Sequence, residues 1–131
     1  MKINEYHQKY RKVTGPFKDP EYVRCSLPRV VCKDGFVMSV QASSFHYSQP
    51  KDLVDEYLEF EIGFPNQEEP LIMSYCEDTD NPCDTVYGYV PTEIVEQVID
   101  KHGGFDFDAI RTLNKSTQED SRSAYTGSGY C

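Results

Sequence analysis

Lys33-Asp34-Gly35 stands between two apolar runs, Arg29–Cys32 and Phe36–Ala42, and no other feature restricts the fold of this chain as strongly. Asp-Gly tolerates the positive φ that a tight turn demands, so the two runs are expected to pair as an antiparallel hairpin. Side chains alternate across a strand, which puts Phe36, Met38, Val40 and Ala42 on one face and Val37, Ser39 and Gln41 on the other. A hairpin with one apolar face needs further strands and a cover, and the rest of the chain supplies candidates for both. Tyr57–Ile62 alternates again, with Leu58, Phe60 and Ile62 expected inward and Tyr57, Glu59 and Glu61 outward. Leu71–Tyr75 and Thr85–Val90 read as two more strands.

Helices flank these strands. Pro91–His102 carries an apolar stripe of Ile94, Val95, Val98 and Ile99, with Glu93, Glu96, Gln97 and Asp100 on the wet side. Proline suits the first turn, Glu93 and the Lys101-His102 pair complement the helix dipole, and Gly103 supplies the stop. A further helix is expected from Asp106 as N-cap, with Phe105 and Ile110 as a hydrophobic staple. Ile3–Val13 reads as a short polar helix with Ile3, Tyr6 and Tyr10 at near-helical spacing, broken by Gly15–Pro20. The expected fold is one α+β domain over residues 1–114, an antiparallel sheet packed by C-terminal helices. Residues 115–131 are rich in Ser, Thr and Gly and are expected to form a flexible tail. A chain of 131 residues is long enough to bury a core without staples.

Net charge is −9, and its placement says more than its size. Residues 1–51 hold nine Lys/Arg against four Asp/Glu, residues 52–100 hold fourteen Asp/Glu and no Lys or Arg, and residues 101–131 hold four of each. The middle segment cannot neutralise itself. Its field must be met by ions, by the basic N-terminal third or by a partner. No apolar run approaches the ~20 residues of a membrane helix, and MKINEYHQKY lacks the apolar core of a signal peptide. A cytoplasmic location is the expectation.

Chemistry is constrained mostly by what is missing. Cys25/Cys32 and Cys76/Cys83 share a C-x6-C spacing with a proline inside each (Pro28, Pro82), whereas zinc knuckles space their thiolates by two to four residues. Free thiols are expected, with no metal and no cofactor. Asp78, Asp80 and Asp84 fall at calcium-loop positions one, three and seven, but Cys83 replaces the required glycine and Tyr89 the closing glutamate, so Asp-Asn-Pro reads as a turn. His7, His46 and His102 are the available imidazole bases. His46 could neighbour Cys32 if the loop Ser43–Asp52 folds back, yet no nucleophile motif or phosphate-binding loop occurs, and no enzyme is expected.

The blocks RVVCKDGFVMSVQASS (Arg29–Ser44), EIGFP (Glu61–Pro65) and EDTDNPCDTVYGYVPTEIVEQVIDKHGG (Glu77–Gly104) resemble small uncharacterised accessory proteins of tailed phages and prophages of Gram-positive bacteria. The resemblance covers residues 29–104 and brings no activity and no site residue with it. It implies a setting, that of a phage product acting against host defence, anti-CRISPR proteins among them. In that setting an acidic protein is expected to act as a nucleic-acid mimic, binding a host defence protein through a basic surface. Glu59, Glu61, Glu77, Asp78, Asp80, Asp84, Glu93 and Glu96 are the candidate contacts, with Tyr87 and Tyr89 as aromatic anchors. The alternative is a sponge for a nucleotide immune signal, using Arg24, Arg29, Lys33, His46 and Tyr47. A purely solvated acidic surface is the third reading.

Overall fold

The computed structural model describes residues 1–14 and 24–119. The element order is α1 (Ile3–Tyr10), β1 (Lys12–Thr14), β2 (Arg24–Ser26), β3 (Val30–Val31), β4 (Val37–Gln41), β5 (Glu59–Gly63), a 3-10 helix (Pro70–Tyr75), β6 (Val86–Pro91), α2 (Thr92–Lys101) and α3 (Phe107–Glu119). Strands β3-β4-β5-β6 form an antiparallel sheet in chain order, and β1 pairs with β2 in a separate two-stranded ribbon. The α+β architecture is as expected, with α2 and α3 covering the four-stranded sheet.

The hairpin forms where Asp-Gly places it. Val31 pairs with Val37, and Gly35 takes φ +94°, a region that disfavours any side chain. The Asp34 carboxylate accepts from the Phe36 N–H at 2.9 Å and so fixes the turn from within. Met38 and Val40 are buried while Val37, Ser39 and Gln41 face outward and are half-buried. One core then joins the inner sheet face (Met38, Val40, Phe60, Ile62) to α2 through Val95, Val98 and Ile99. Ile3 and Tyr6 of α1 close another side, and Asp106 caps α3 through the Ala109 N–H at 3.0 Å, with Phe105 and Ile110 both buried. No described helix is long and apolar enough to cross a membrane.

Several expectations change. Leu58 is 72% exposed and Tyr57 buried, the reverse of the alternation read for that strand. The ladder starts only at Glu59, and Tyr57 is instead held by Asn4 and Thr92 through its backbone. Ile94 is half-buried at the edge of the α2 stripe. Pro70–Tyr75 is a 3-10 helix and not a strand, because Pro70 pre-sets its first turn and the Glu69 carboxylate accepts from the Leu71 N–H. Helix α3 continues to Glu119, past the boundary drawn at residue 114. The Gly15–Pro20 break and tail residues 120–131 lie outside the described residues.

Candidate functional site

The site begins with a fault in the sheet. Ile62 pairs with Tyr87 but Phe60 pairs with Val90, so Gly88 and Tyr89 together stand opposite the single residue Glu61. Such a bulge re-aims the side chains of the strand that carries it. Tyr89 takes φ +54°, a conformation that costs a non-glycine residue roughly 1–2 kcal/mol. Its N–H donates to the Tyr47 carbonyl at 2.9 Å, which ties the 43–52 loop to the bulge. Gly88 permits that approach, since a Cβ there would meet Tyr47 Cβ at 3.2 Å. The rings of Tyr47 and Tyr89 lie 5.8 Å apart and tilted, and both are substantially exposed, at 48% and 39%. Phe45, on the same loop, is 52% exposed.

Carboxylates surround this aromatic pair. Glu61, outward on β5, accepts from the Tyr47 N–H at 2.9 Å. Burial pushes its pKa up and Glu77 pushes it further, against the opposing pull of the Tyr47 N–H and Lys51. The Glu77 carboxylate is thus close enough to Glu61 to repel it. Lys51 is the cation at hand. Its ammonium donates to the His46 carbonyl at 2.8 Å, meets the Tyr89 hydroxyl at 3.4 Å, and lies 5.1 Å from the Tyr89 ring centroid.

The fold sorts the acids of the cation-free segment into two groups. Asp55 meets Arg11 at 3.4 Å, Glu96 meets Lys2 at 4.0 Å, and Glu69 meets Lys101 at 2.9 Å, so cations from both flanks reach in. Asp52, Glu56, Glu59, Glu61, Glu68, Glu77, Asp78, Asp80, Asp84, Glu93 and Asp100 have no ion pair among the described residues. Asp78 organises its loop as a turn, accepting from the Asp80 N–H and the Asn81 amide, each at 3.1 Å. No group of His, Cys, Asp and Glu among the described residues is arranged to hold a metal ion.

The residues proposed to meet a partner are not all brought together. Glu59 and Glu61 face away from the core, and Glu77 joins them through its N–H to Val86 and its closeness to Gly88. Glu93 and Glu96 sit on α2, which packs on the opposite face of the sheet. Glu96 is also taken up by the Ile3 N–H. Tyr87 is fully buried, its hydroxyl donating to the Pro82 carbonyl, so it is a core residue and not an anchor. Tyr89 alone of that pair is exposed.

The alternative ligand set is divided as well. Arg29 donates to the Phe64 carbonyl at 2.7 Å and Lys33 lies in the hairpin turn, both at the end of the sheet where β4 begins. His46 and Tyr47 lie beyond the end of β4 at the other side. The Arg24 side chain is outside the described residues. His46 Nδ1 lies 2.6 Å from the Ser43 hydroxyl, and burial, then the nearby His7 and Lys51, push its pKa down to about 4. It does not neighbour Cys32, which bridges to Phe105 at the hairpin end and whose thiol burial pushes up to about 12. Cys25, Cys32 and Cys76 are free thiols, whereas Cys83 is disulfide-bonded, contrary to the expectation of free thiols throughout.

Two buried polar clusters went unread in the sequence. His102 Nδ1 lies 2.6 Å from Asp34 and Nε2 lies 2.7 Å from Glu69, with the Phe36 ring stacked at 4.1 Å. His7 is fully buried, its Nε2 donating to the Ala42 carbonyl at 2.9 Å and its Nδ1 without a hydrogen-bond partner among the described residues. Both bind distant segments and neither has an exposed nucleophile beside it. The signal for the bulge was present, since an isolated glycine inside a strand pattern marks one. No protein-family model matches the chain, and no curated protein and no solved structure matches it.

Proposed function

We propose that the protein is a non-catalytic inhibitor that covers a basic, nucleic-acid-handling surface of a host defence protein with the acidic, aromatic face built on β5, the bulge and the 77–84 loop. The observation that carries this reading is the sorting of charge. Among the described residues the fold pairs Asp55, Glu69 and Glu96 with cations, yet gives Glu59, Glu61, Glu77, Asp78, Asp80 and Asp84 no ion pair. Uncompensated like charge destabilises a compact state, and what it offers in return is attraction and fast association toward a basic surface. Exposed tyrosines within the same face supply contact area at low entropy cost. The phage setting and the host cytoplasm rest on the resemblance of residues 29–104. The contact set is narrower than the one read from sequence, since Glu93, Glu96 and Tyr87 lie elsewhere. The sponge reading finds less support, because Arg29 and Lys33 stand at the other end of the sheet from His46.

The test uses immobilised protein and a nuclease-treated host extract. Capture of a basic protein that elutes with salt, and whose nucleic-acid binding the free wild-type chain competes, supports the reading. The triple change Asp78→Asn, Asp80→Asn and Asp84→Asn should weaken that competition at least tenfold at ~0.15 M salt, where screening sets in beyond ~8 Å. Undiminished competition by the triple variant sinks it.

A further inference from the structure

The contacts of Lys51 at the bulge have a second meaning. A cation near a tyrosine face, flanked by carboxylates, is the arrangement by which proteins hold an arginine or lysine of a partner. Here the chain fills that arrangement with its own last cation before residues 52–100, where no Lys or Arg occurs. The ammonium is 5.1 Å from the Tyr89 ring centroid and draws on the field of Glu61. The strained φ of Tyr89 and the close pass of Tyr47 over Gly88 hold the two rings where they are, although nothing in the core requires either ring. Strain that persists away from the core is found at ligand clamps.

We infer that Tyr47, Tyr89, Glu61 and Glu77 form a receptor for an arginine side chain of the basic partner, and that Lys51 occupies it in the free protein. This rests on the acidic-face reading above and gives it a specific contact. An incoming guanidinium is favoured over the resident ammonium on two physical grounds. It is planar, so it stacks on a tyrosine face, and it is more weakly hydrated. Its fork also pairs with a carboxylate through two N–H groups, which a single ammonium cannot do in the same geometry. Lys51 is then displaced toward solvent, giving up its contacts with the His46 carbonyl and the Tyr89 hydroxyl.

Hexaarginine serves as the probe, titrated by calorimetry against the full chain at ~0.15 M salt. Lys51→Met should tighten binding about tenfold by vacating the site. Lys33→Met, which removes the same charge at the far end of β4, should change it less than about twofold. Tyr89→Ala should weaken wild-type binding and abolish the gain from Lys51→Met in the double variant. Circular dichroism and melting curves verify that each variant is folded. Equal gains from Lys51→Met and Lys33→Met, or a gain that survives Tyr89→Ala, overturn the inference. If hexaarginine binding depends on Asp78, Asp80 and Asp84 but not on Lys51 or Tyr89, the acidic face stands and the arginine receptor falls. Absence of binding by both wild type and Lys51→Met removes the acidic-face reading along with it.

Discussion

Glu69→Ala is the perturbation with the largest effect that the structure specifies. The Glu69 side chain is 1% exposed and accepts three groups: the Leu71 N–H at 2.8 Å, Lys101 at 2.9 Å and His102 at 2.7 Å. Both ring nitrogens of His102 face carboxylates. Truncating Glu69 therefore leaves His102 Nε2 and the Leu71 N–H at the start of the 3-10 helix without their partner, and opens a cavity. Lys101 is half-exposed and regains water, so its share is small. Removing one member of a buried ion pair costs about 3–5 kcal/mol, which at this chain length lowers Tm by about 10–20 °C. Glu69→Gln keeps the shape and one acceptor, and should cost about 1–3 kcal/mol, the range for a hydrogen bond to a charged group.

The pH dependence provides an independent check. Burial pushes the Glu69 carboxyl up, but the Leu71 N–H, Lys101 and His102 together outweigh it and hold the pKa below the ordinary 4.5. A carboxylate lowered in the fold adds stability that is fully present above its unfolded value and is lost as pH falls through its folded value. Urea unfolding of wild type and Glu69→Gln should thus differ at pH 7, and the gap should narrow as pH falls below the ordinary 4.5. Asp34, also held below its ordinary value, meets the same His102 ring and titrates in both proteins. A gap that stays constant down to pH 3, or a cost below about 1 kcal/mol for Glu69→Ala, would refute the buried ionic latch.

Three further outcomes are expected. Leu58→Ser should change stability by less than about 0.5 kcal/mol, whereas Val98→Asp should cost several, because Leu58 is exposed and Val98 is core; paired chemical denaturation curves decide it. His46 is held neutral in the fold, so it contributes stability above its unfolded pKa near 6.5 that is lost as pH falls toward about 4; His46→Asn should reduce the acid-induced loss over that window by on the order of 2 kcal/mol, read from Tm against pH. Gly103→Ala combines φ +94° with a 3.2 Å approach to Lys33 Cβ, and should lower stability by about 1–2 kcal/mol in thermal melts.

What the sequence discloses follows the range of the forces involved. The Asp34-Gly35 hairpin, α2 and the Asp106 cap depend on neighbours within a few residues, and all three were legible. The facing of Tyr57 and Leu58 was not, because residues outside a ladder obey distant bonds: Leu58 donates to the Gln49 carbonyl and accepts from the Thr92 N–H. The Glu69–His102–Asp34 cluster also joins segments far apart in sequence. Total charge in residues 52–100 was readable, but its division between two faces required knowing where α2 crosses the sheet.

Tyr87 and Tyr89 show how a one-residue slip carries through to function. Under strict alternation the two would share a face. The bulge moves the inward positions to Tyr87 and Val90, three apart and not two, so one tyrosine enters the core and the other leaves it. Gly88 makes the slip possible by letting Tyr47 pass within contact of the strand. Tyr89 then accepts a positive φ that its side chain opposes, and its ring ends up beside Tyr47 and under Lys51. A tyrosine in unbroken strand geometry at position 89 would compete with Tyr87 for the interior. The inserted residue is therefore what makes an exposed aromatic contact and a filled core compatible on one six-residue strand.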